Sequence, residues 1–270
     1  MKLPLLFVLI LIHIKVSCQL IKDPATANLA LGAYSKNCPD AFSFTANVAS
    51  LINIKKLQVG IYCEKRFLLN VAGFYTIAVV VPGKHGNFGF QSSYFGFSKF
   101  NETEFGVAYA KTLGKIDLGI RFNYNNISIP GYGHNTAMNF EIGGLVALTK
   151  DIIAGIQVYN PLGGTFFKSP EKLPAIYKLG IGYEASAKFY IASEIIKEEH
   201  QPVNVLAGFQ YYFEKQLFIR AGITTETVSP YLAAGISWKN IHLDITGSYH
   251  PQLGFTPGLL LLFDITKKEL

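Results

Sequence analysis

Residues 115–125 read KIDLGIRFNYN, and every second side chain from Ile116 onward is large and apolar. In an extended strand successive side chains point to opposite faces. Ile116, Leu118, Ile120, Phe122 and Tyr124 therefore share one face, while Asp117, Gly119, Arg121, Asn123 and Asn125 share the other. The same two-residue period returns in LFIRAGIT, with Arg220, Gly222 and Thr224 on the polar side, and in IHLDITGSY, with His242, Asp244, Thr246 and Ser248 there. FEIGG and VNVLAGFQYYF repeat the scheme with Glu141, Asn204 and Gln210 on the polar face.

Followed along the chain, the period predicts strands near 56–64, 69–80, 87–98, 102–112, 115–127, 137–149, 151–159, 174–184, 187–197, 202–213, 216–225, 229–238, 240–249 and 257–265. The connections alternate in size. GKHG, LG, TKD, SAK, EKQ and KN are short; ISIPGYGHNTA, NPLGGTFFKSPEKLP, KEEHQP, TTETVSP and HPQLGFTP are longer.

Composition decides what such strands build. Apolar residues make up 50% of the chain, with 21 Phe, 15 Tyr and 25 Gly, and only 16% of residues are charged. A soluble β-sandwich also alternates, but its outer faces need more charge than this; about 25% charged is usual for soluble domains. Beyond the first twenty residues no apolar run approaches the roughly 18 residues of a spanning helix. A chain that crosses a membrane without helices must close its strands into a barrel, because hydrocarbon leaves no partner for an open sheet edge. The fold class expected is all-β: a transmembrane antiparallel up-and-down β-barrel of about 14 strands, with short turns at one end and longer loops at the other.

The chain opens MKLPLLFVLILIHIKVSC, with a basic start, an apolar core and a cleavage region, the layout of a secretory signal over 1–18. Residues 19–55 lack the strand period and carry two helix-like stretches, Ala25 to Leu31 and Thr45 to Ile52, which suits a plug inside or just under the barrel. The barrel is then 56–266 and the tail 267–270. An even strand number puts both chain ends in the periplasm of a bacterial outer membrane.

The segment with Gly32, Asp40 and Asn47-Val48-Ala49-Ser50-Leu51, followed by fourteen strands, resembles the FadL family of outer-membrane barrels, in which such a segment forms a hatch in the lumen. EFGVAYAKTLGKIDLGIRFNY, VYNPLGGT, LPAIYKLGIGYEAS and YHPQLGFTPGLLLLF look like the branch containing the PorV and PorQ proteins of type IX secretion. The resemblance implies a non-enzymatic component of a surface-protein or secretion assembly, partnered by another outer-membrane or secreted surface protein. It equally admits a FadL-like transporter of hydrophobic small molecules, with a hydrophobic ligand in place of the protein partner. A purely structural barrel is the third alternative.

Chemistry is thin elsewhere. Glu104, Asp117, Arg121, Glu141, Lys178, Glu194, Arg220 and Asp244 all fall on the polar face and form a candidate lumen charge network. Because both signs are present, the network suits mutual pairing and a filled lumen; a selective pore favours one sign at its constriction. His85, His134, His200, His242 and His250 lack metal-site spacing, no Gly-x-Ser-x-Gly element occurs, and no helix follows GKHGNFG or GYGHN to bind an anion. No catalytic residue, metal or cofactor is expected. The net charge of +6 is scattered over turns and strand ends, which suits contact with outer-membrane lipid and not nucleic acid. Once the signal is removed, Cys38 and Cys63 form an even pair in an oxidising compartment. They either join plug to wall or stay as two thiols, one facing lipid. Tyr62, Tyr94, Tyr109, Tyr124 and Tyr249 suit interfacial girdles, and the loops around 128–137 and 160–174 suit a docking rim.

Overall fold

The computed structural model describes residues 32–167, 172–214, 216–226 and 228–265. The signal segment 1–18, the helix-like stretch 25–31 and the tail 267–270 lie outside them.

Fourteen strands form one closed antiparallel barrel in which each strand pairs with its neighbours in sequence. The first seven are β1 (Leu57–Lys65), β2 (Gly73–Val81), β3 (Asn87–Phe97), β4 (Phe100–Leu113), β5 (Ile116–Ile129), β6 (Gly133–Ala147) and β7 (Ile152–Tyr159). The others are β8 (Ile176–Ser186), β9 (Phe189–Glu198), β10 (Val203–Tyr212), β11 (Leu217–Thr224), β12 (Ser229–Trp238), β13 (Ile241–His250) and β14 (Gly254–Ile265). The barrel is sealed where β1 meets β14, in a register running from Leu57 opposite Ile265 to Glu64 opposite Gly258. Closure satisfies the backbone groups that an edge strand would leave open.

Alternation sets the faces. On β5, Gly119, Arg121, Asn123 and Asn125 are buried in the lumen, while Leu118, Phe122 and Tyr124 are exposed outside. Phe105, Ile156, Leu179, Leu232 and Ile245 continue the apolar exterior on other strands. One girdle expectation fails: Tyr62 shares parity with Gln58 and Glu64, points inward, and donates to Glu64 Oε2 at 2.8 Å. Tyr94, Tyr124 and Tyr249 do lie on the outside.

The loop expected over 128–137 is largely strand. β5 and β6 keep pairing out to Ile129 opposite Gly133, and the chain reverses through Pro130, Gly131 and Tyr132. Gly131 and Gly133 hold φ of 90° and 120°, a region where a Cβ is strained, so the glycines mark the reversal and not a long loop. β3 and β4 also meet in a tight turn at this end. The size asymmetry between the two ends therefore rests chiefly on residues 160–175 between β7 and β8. That segment's described residues fold back onto β6: Phe166 bridges to Ala137, Asn160 Nδ2 donates to the Leu173 carbonyl at 2.7 Å, and Ala137, Phe166 and Leu173 form a small buried cluster.

If the exterior is the lipid face, the unheated protein in mild detergent migrates faster on a denaturing gel than the boiled protein, as a compact barrel does. Recovery as a soluble monomer without detergent contradicts the assignment of faces.

Candidate functional site

The lumen is filled by residues 32–54, here called the hatch. Its core is a short α-helix, Ser43–Ala46, followed by a 3-10 helix, Val48–Asn53. The single helix expected over Thr45–Ile52 is broken at Asn47, which is extended at φ −144°. Asn47 turns its side chain to local and wall partners together. Its Oδ1 accepts from Ala49 N at 3.1 Å, and its Nδ2 donates to the carbonyls of Gly144 and Ile156 at 3.4 and 3.2 Å. Short polar side chains compete with helical bonding in this manner.

Wall glycines make room for the hatch. A Cβ on Gly180 would lie 2.0 Å from the Tyr34 ring, and one on Gly182 or Gly155 would also strike Tyr34. Likewise a Cβ on Gly119 would meet the Val48 backbone at 2.6 Å, and one on Gly143 would meet Asn47 Oδ1 at 2.6 Å. The wall can thus approach the hatch backbone to contact distance, and Phe42, Phe44, Val48 and Leu51 are buried with wall residues such as Phe74 and Leu262 in one apolar cluster.

Polar groups pin the hatch at several points. The Tyr34 hydroxyl donates to Glu194 Oε1 at 2.6 Å. Glu184 Oε1 accepts from Ser35 Oγ at 2.7 Å and from the backbone N–H groups of Lys36 and Asn37 at 2.8 and 3.0 Å. Val48 N donates to Gln157 Oε1 at 2.7 Å, and Gln157 Nε2 donates on to Glu141 Oε2 at 2.8 Å. Asn87 Nδ2 donates to the carbonyls of Leu51 and Ile54, both at 2.7 Å. Lys178 Nζ reaches the Thr45 and Ala46 carbonyls at 3.5 and 3.4 Å, where the short helix leaves its acceptors open.

The eight charged residues singled out in the sequence divide into groups. Arg121 pairs with Glu104 on β4 and, at 3.5 Å, with Glu141 on β6, and its guanidinium lies 5.7 Å from the Phe44 ring of the hatch. Arg220 lies 3.4 Å from Asp244 and 3.8 Å from Asp40 of the hatch, and its Nε donates to Gln210 at 2.6 Å. Glu194 and Lys178 bind the hatch directly, as above. Asp117 stands apart near the β4–β5 turn, accepting from Thr112 Oγ1 at 2.5 Å. Burial pushes the Asp40 carboxyl above its ordinary range, against the pull of Arg220 and the Phe42 N–H.

The possible bond between Cys38 and Cys63 is not formed; both thiols are free. Their faces explain it. Cys38 packs in the lumen against the cluster containing Tyr34 and Tyr190, whereas Cys63 alternates with the inward Tyr62 and Glu64 and so points outward.

Beside the hatch, at the end of the barrel where β1 begins and β14 ends, is a cavity of about 300 Å³. Asp40, Arg220, Asp244, Phe218, Leu262 and Tyr212 are among its lining. Sequence reasoning did not single out Gln157, Asn87, Glu184 or Tyr34. For Gln157 the signal was present: a lone polar side chain at an inward position of IIAGIQVY.

No family model matches the chain, and no curated protein does. Solved structures share its fold. It is similar to the CymD monoaromatic hydrocarbon channel at 12% identity, covering 91% of this chain and 98% of that one, with a TM-score of 0.65. The TodX deltaS2S3 mutant monoaromatic hydrocarbon channel aligns at 9% identity over 83% of this chain and 94% of that one, TM-score 0.59. A Pseudomonas aeruginosa FadL homologue aligns at 12% identity over 84% and 94%, TM-score 0.55. The class is therefore a closed fourteen-stranded barrel with the fold of these FadL-like and TodX-like proteins. At such identities the likeness is one of fold, and these structures lend nothing to the PorV and PorQ branch.

Arg121→Met leaves Glu104 and Glu141 facing each other without their cation. Breaking a buried pair costs about 3–5 kcal/mol, so the urea midpoint of the barrel in detergent is expected to fall well below that of the parent. An unchanged midpoint means that these carboxylates are hydrated.

Proposed function

We propose that this chain is an outer-membrane channel for hydrophobic small molecules, with residues 32–54 as its gate. The observation that carries the proposal is a lumen closed by a hatch held through separable polar contacts, in a fold shared with monoaromatic hydrocarbon channels. The apolar exterior suits a bilayer, and on this reading both chain ends face the periplasm. The substrate class is set by the hatch itself. Its inward side chains Phe42, Phe44, Val48 and Leu51 are apolar, so a molecule that displaces them meets a greasy surface, while the Asn, Gln and Glu residues of the wall re-form hydrogen bonds with one another or with water. The mechanism needs no cofactor and no bond chemistry.

A second reading, a component of a surface-protein or secretion assembly, is favoured by one feature. Tyr132, Leu162 and Phe167 stand 92%, 82% and 67% exposed at the end of the barrel opposite the start of β1 and the end of β14. Aromatic and aliphatic side chains held out in this way suit protein contact.

Locking the hatch separates the two. In a chain with Cys38 and Cys63 changed to serine, Asn47→Cys and Gly143→Cys place two thiols at the hatch–wall contact. Cells making this variant are expected to take up a labelled monoaromatic hydrocarbon when the bond is reduced and to lose the uptake when it is oxidised. Uptake equal to that of cells lacking the protein in both states contradicts the channel; with a stoichiometric protein partner that is lost when 160–174 is shortened, the assembly reading takes its place.

A further inference from the structure

Two buried carboxylates in the lining of the cavity beside the hatch have oxygens without a hydrogen-bond donor. Asp244 on β13 is 1% exposed and lines the cavity, and neither of its carboxylate oxygens accepts a hydrogen bond. From the hatch, Asp40 is also buried; its Oδ1 accepts from Phe42 N, but its Oδ2 has no hydrogen-bond donor. Arg220 stands by both at 3.4 and 3.8 Å without a hydrogen bond to either of these oxygens, and its Nε is committed to Gln210. One guanidinium thus faces two carboxylates, and three buried acceptor atoms are left without a donor. The other basic side chains of the lining have partners elsewhere or are exposed. Lys56 and His242 lie 3.7 and 3.8 Å from Asp264, Lys55 donates to the Ile52 carbonyl at 2.6 Å, and Lys36 is exposed at the mouth.

Beside these carboxylates Phe218, Leu262, Ile54 and Tyr212 contribute apolar and aromatic surface, with Lys36, Asn37, Asn53, Gln58 and Asp264 toward the rest of the lining. Gly235 leaves room for the Asp244 carboxylate and the Phe218 ring to lie side by side, because a Cβ there would lie 2.6 Å from Asp244 Oδ1 and 2.2 Å from the Phe218 ring. A ligand suited to the place carries about one positive charge and several donors on a compact apolar body.

We infer that the cavity between hatch and wall binds a small organic cation, a primary ammonium carried on a body of about one ring. An ammonium offers three donors and no acceptor. It matches the three carboxylate oxygens left without a donor and supplies the counter-charge that Arg220 alone does not. An alcohol of the same shape brings one donor and no charge, and a carboxylate is repelled. A metal ion fits poorly: among the described residues no group of three or more His, Cys, Asp and Glu is placed to hold one, and Arg220 occupies the gap between the two carboxylates. At about 300 Å³ the cavity is at the lower end of small-molecule sites. The inference goes beyond the channel reading and concerns binding alone, so it holds even where nothing crosses the barrel.

The test uses the full-length protein in detergent at low salt, titrated calorimetrically with benzylamine, benzyl alcohol and benzoate. Charge-assisted hydrogen bonds are stronger than neutral ones, so benzylamine is expected to bind roughly tenfold or more tighter than the alcohol, with benzoate weakest. Asp244→Asn and Asp40→Asn are each expected to weaken benzylamine about tenfold and to remove its advantage over the alcohol. Cys38 lines the same cavity and gives a readout without any change to the carboxylates. Its alkylation, mapped on the Cys38 peptide, is slowed by benzylamine and not by benzoate. Equal affinity for amine and alcohol, benzylamine binding unchanged in folded carboxylate variants, or Cys38 labelling indifferent to the amine overturns the inference.

Discussion

A charge inside a narrow barrel has little water to hydrate it, and the rest of this structure follows from how each one is compensated. Arg121 and Arg220 are each buried and each sits between two carboxylates. Arg121 draws both of its partners from the wall. Arg220 takes one from the wall and one, Asp40, from the hatch. The two guanidiniums therefore do different work: one fastens three neighbouring strands of the wall, the other ties the hatch to the wall. Desolvation makes such pairs poor sources of net stability, while the loss of one member is costly. Buried pairs of this kind hold a particular arrangement more than they strengthen the fold.

Space and charge act together. Tyr34 is positioned by the absence of side chains at Gly155, Gly180 and Gly182, and once there its hydroxyl meets Glu194. Asn47 and Val48 reach their wall partners because Gly119 and Gly143 let backbone approach backbone. A hatch held by one large apolar face would resist opening as a unit. This one combines an apolar cluster with hydrogen bonds that water or a solute can replace one at a time, as the proposed gate would need.

The barrel was legible because its rule has a period of two. KIDLGIRFNYN alone assigns both faces of β5, and the same parity places Gln157 and Glu141 inward. What misled was local composition. Pro130, Gly131 and Gly133 read as a loop, yet pairing runs up to the reversal from both strands, since register is set by the whole ladder and a tight reversal needs the same residues. Tyr62 was assigned by residue type where parity was the better guide. The hatch was legible as a segment without strand period, but its fit was not: that Tyr34 lies over Gly180, or Asp40 beside Arg220, depends on contacts across more than a hundred residues that no local pattern encodes. Glu194 and Lys178 were recognised as polar-face residues, whereas their partners in the hatch appear only once the barrel is closed around it.

Electrical conductance in a planar bilayer tests most directly whether the hatch closes the lumen. The whole protein is expected to insert without a steady current. A chain lacking residues 32–54, shown to be folded by its gel mobility, is expected to give discrete ohmic steps, because the wall alone encloses a polar channel. A steady open current from the whole protein, or a folded hatchless chain that stays silent, would contradict the account.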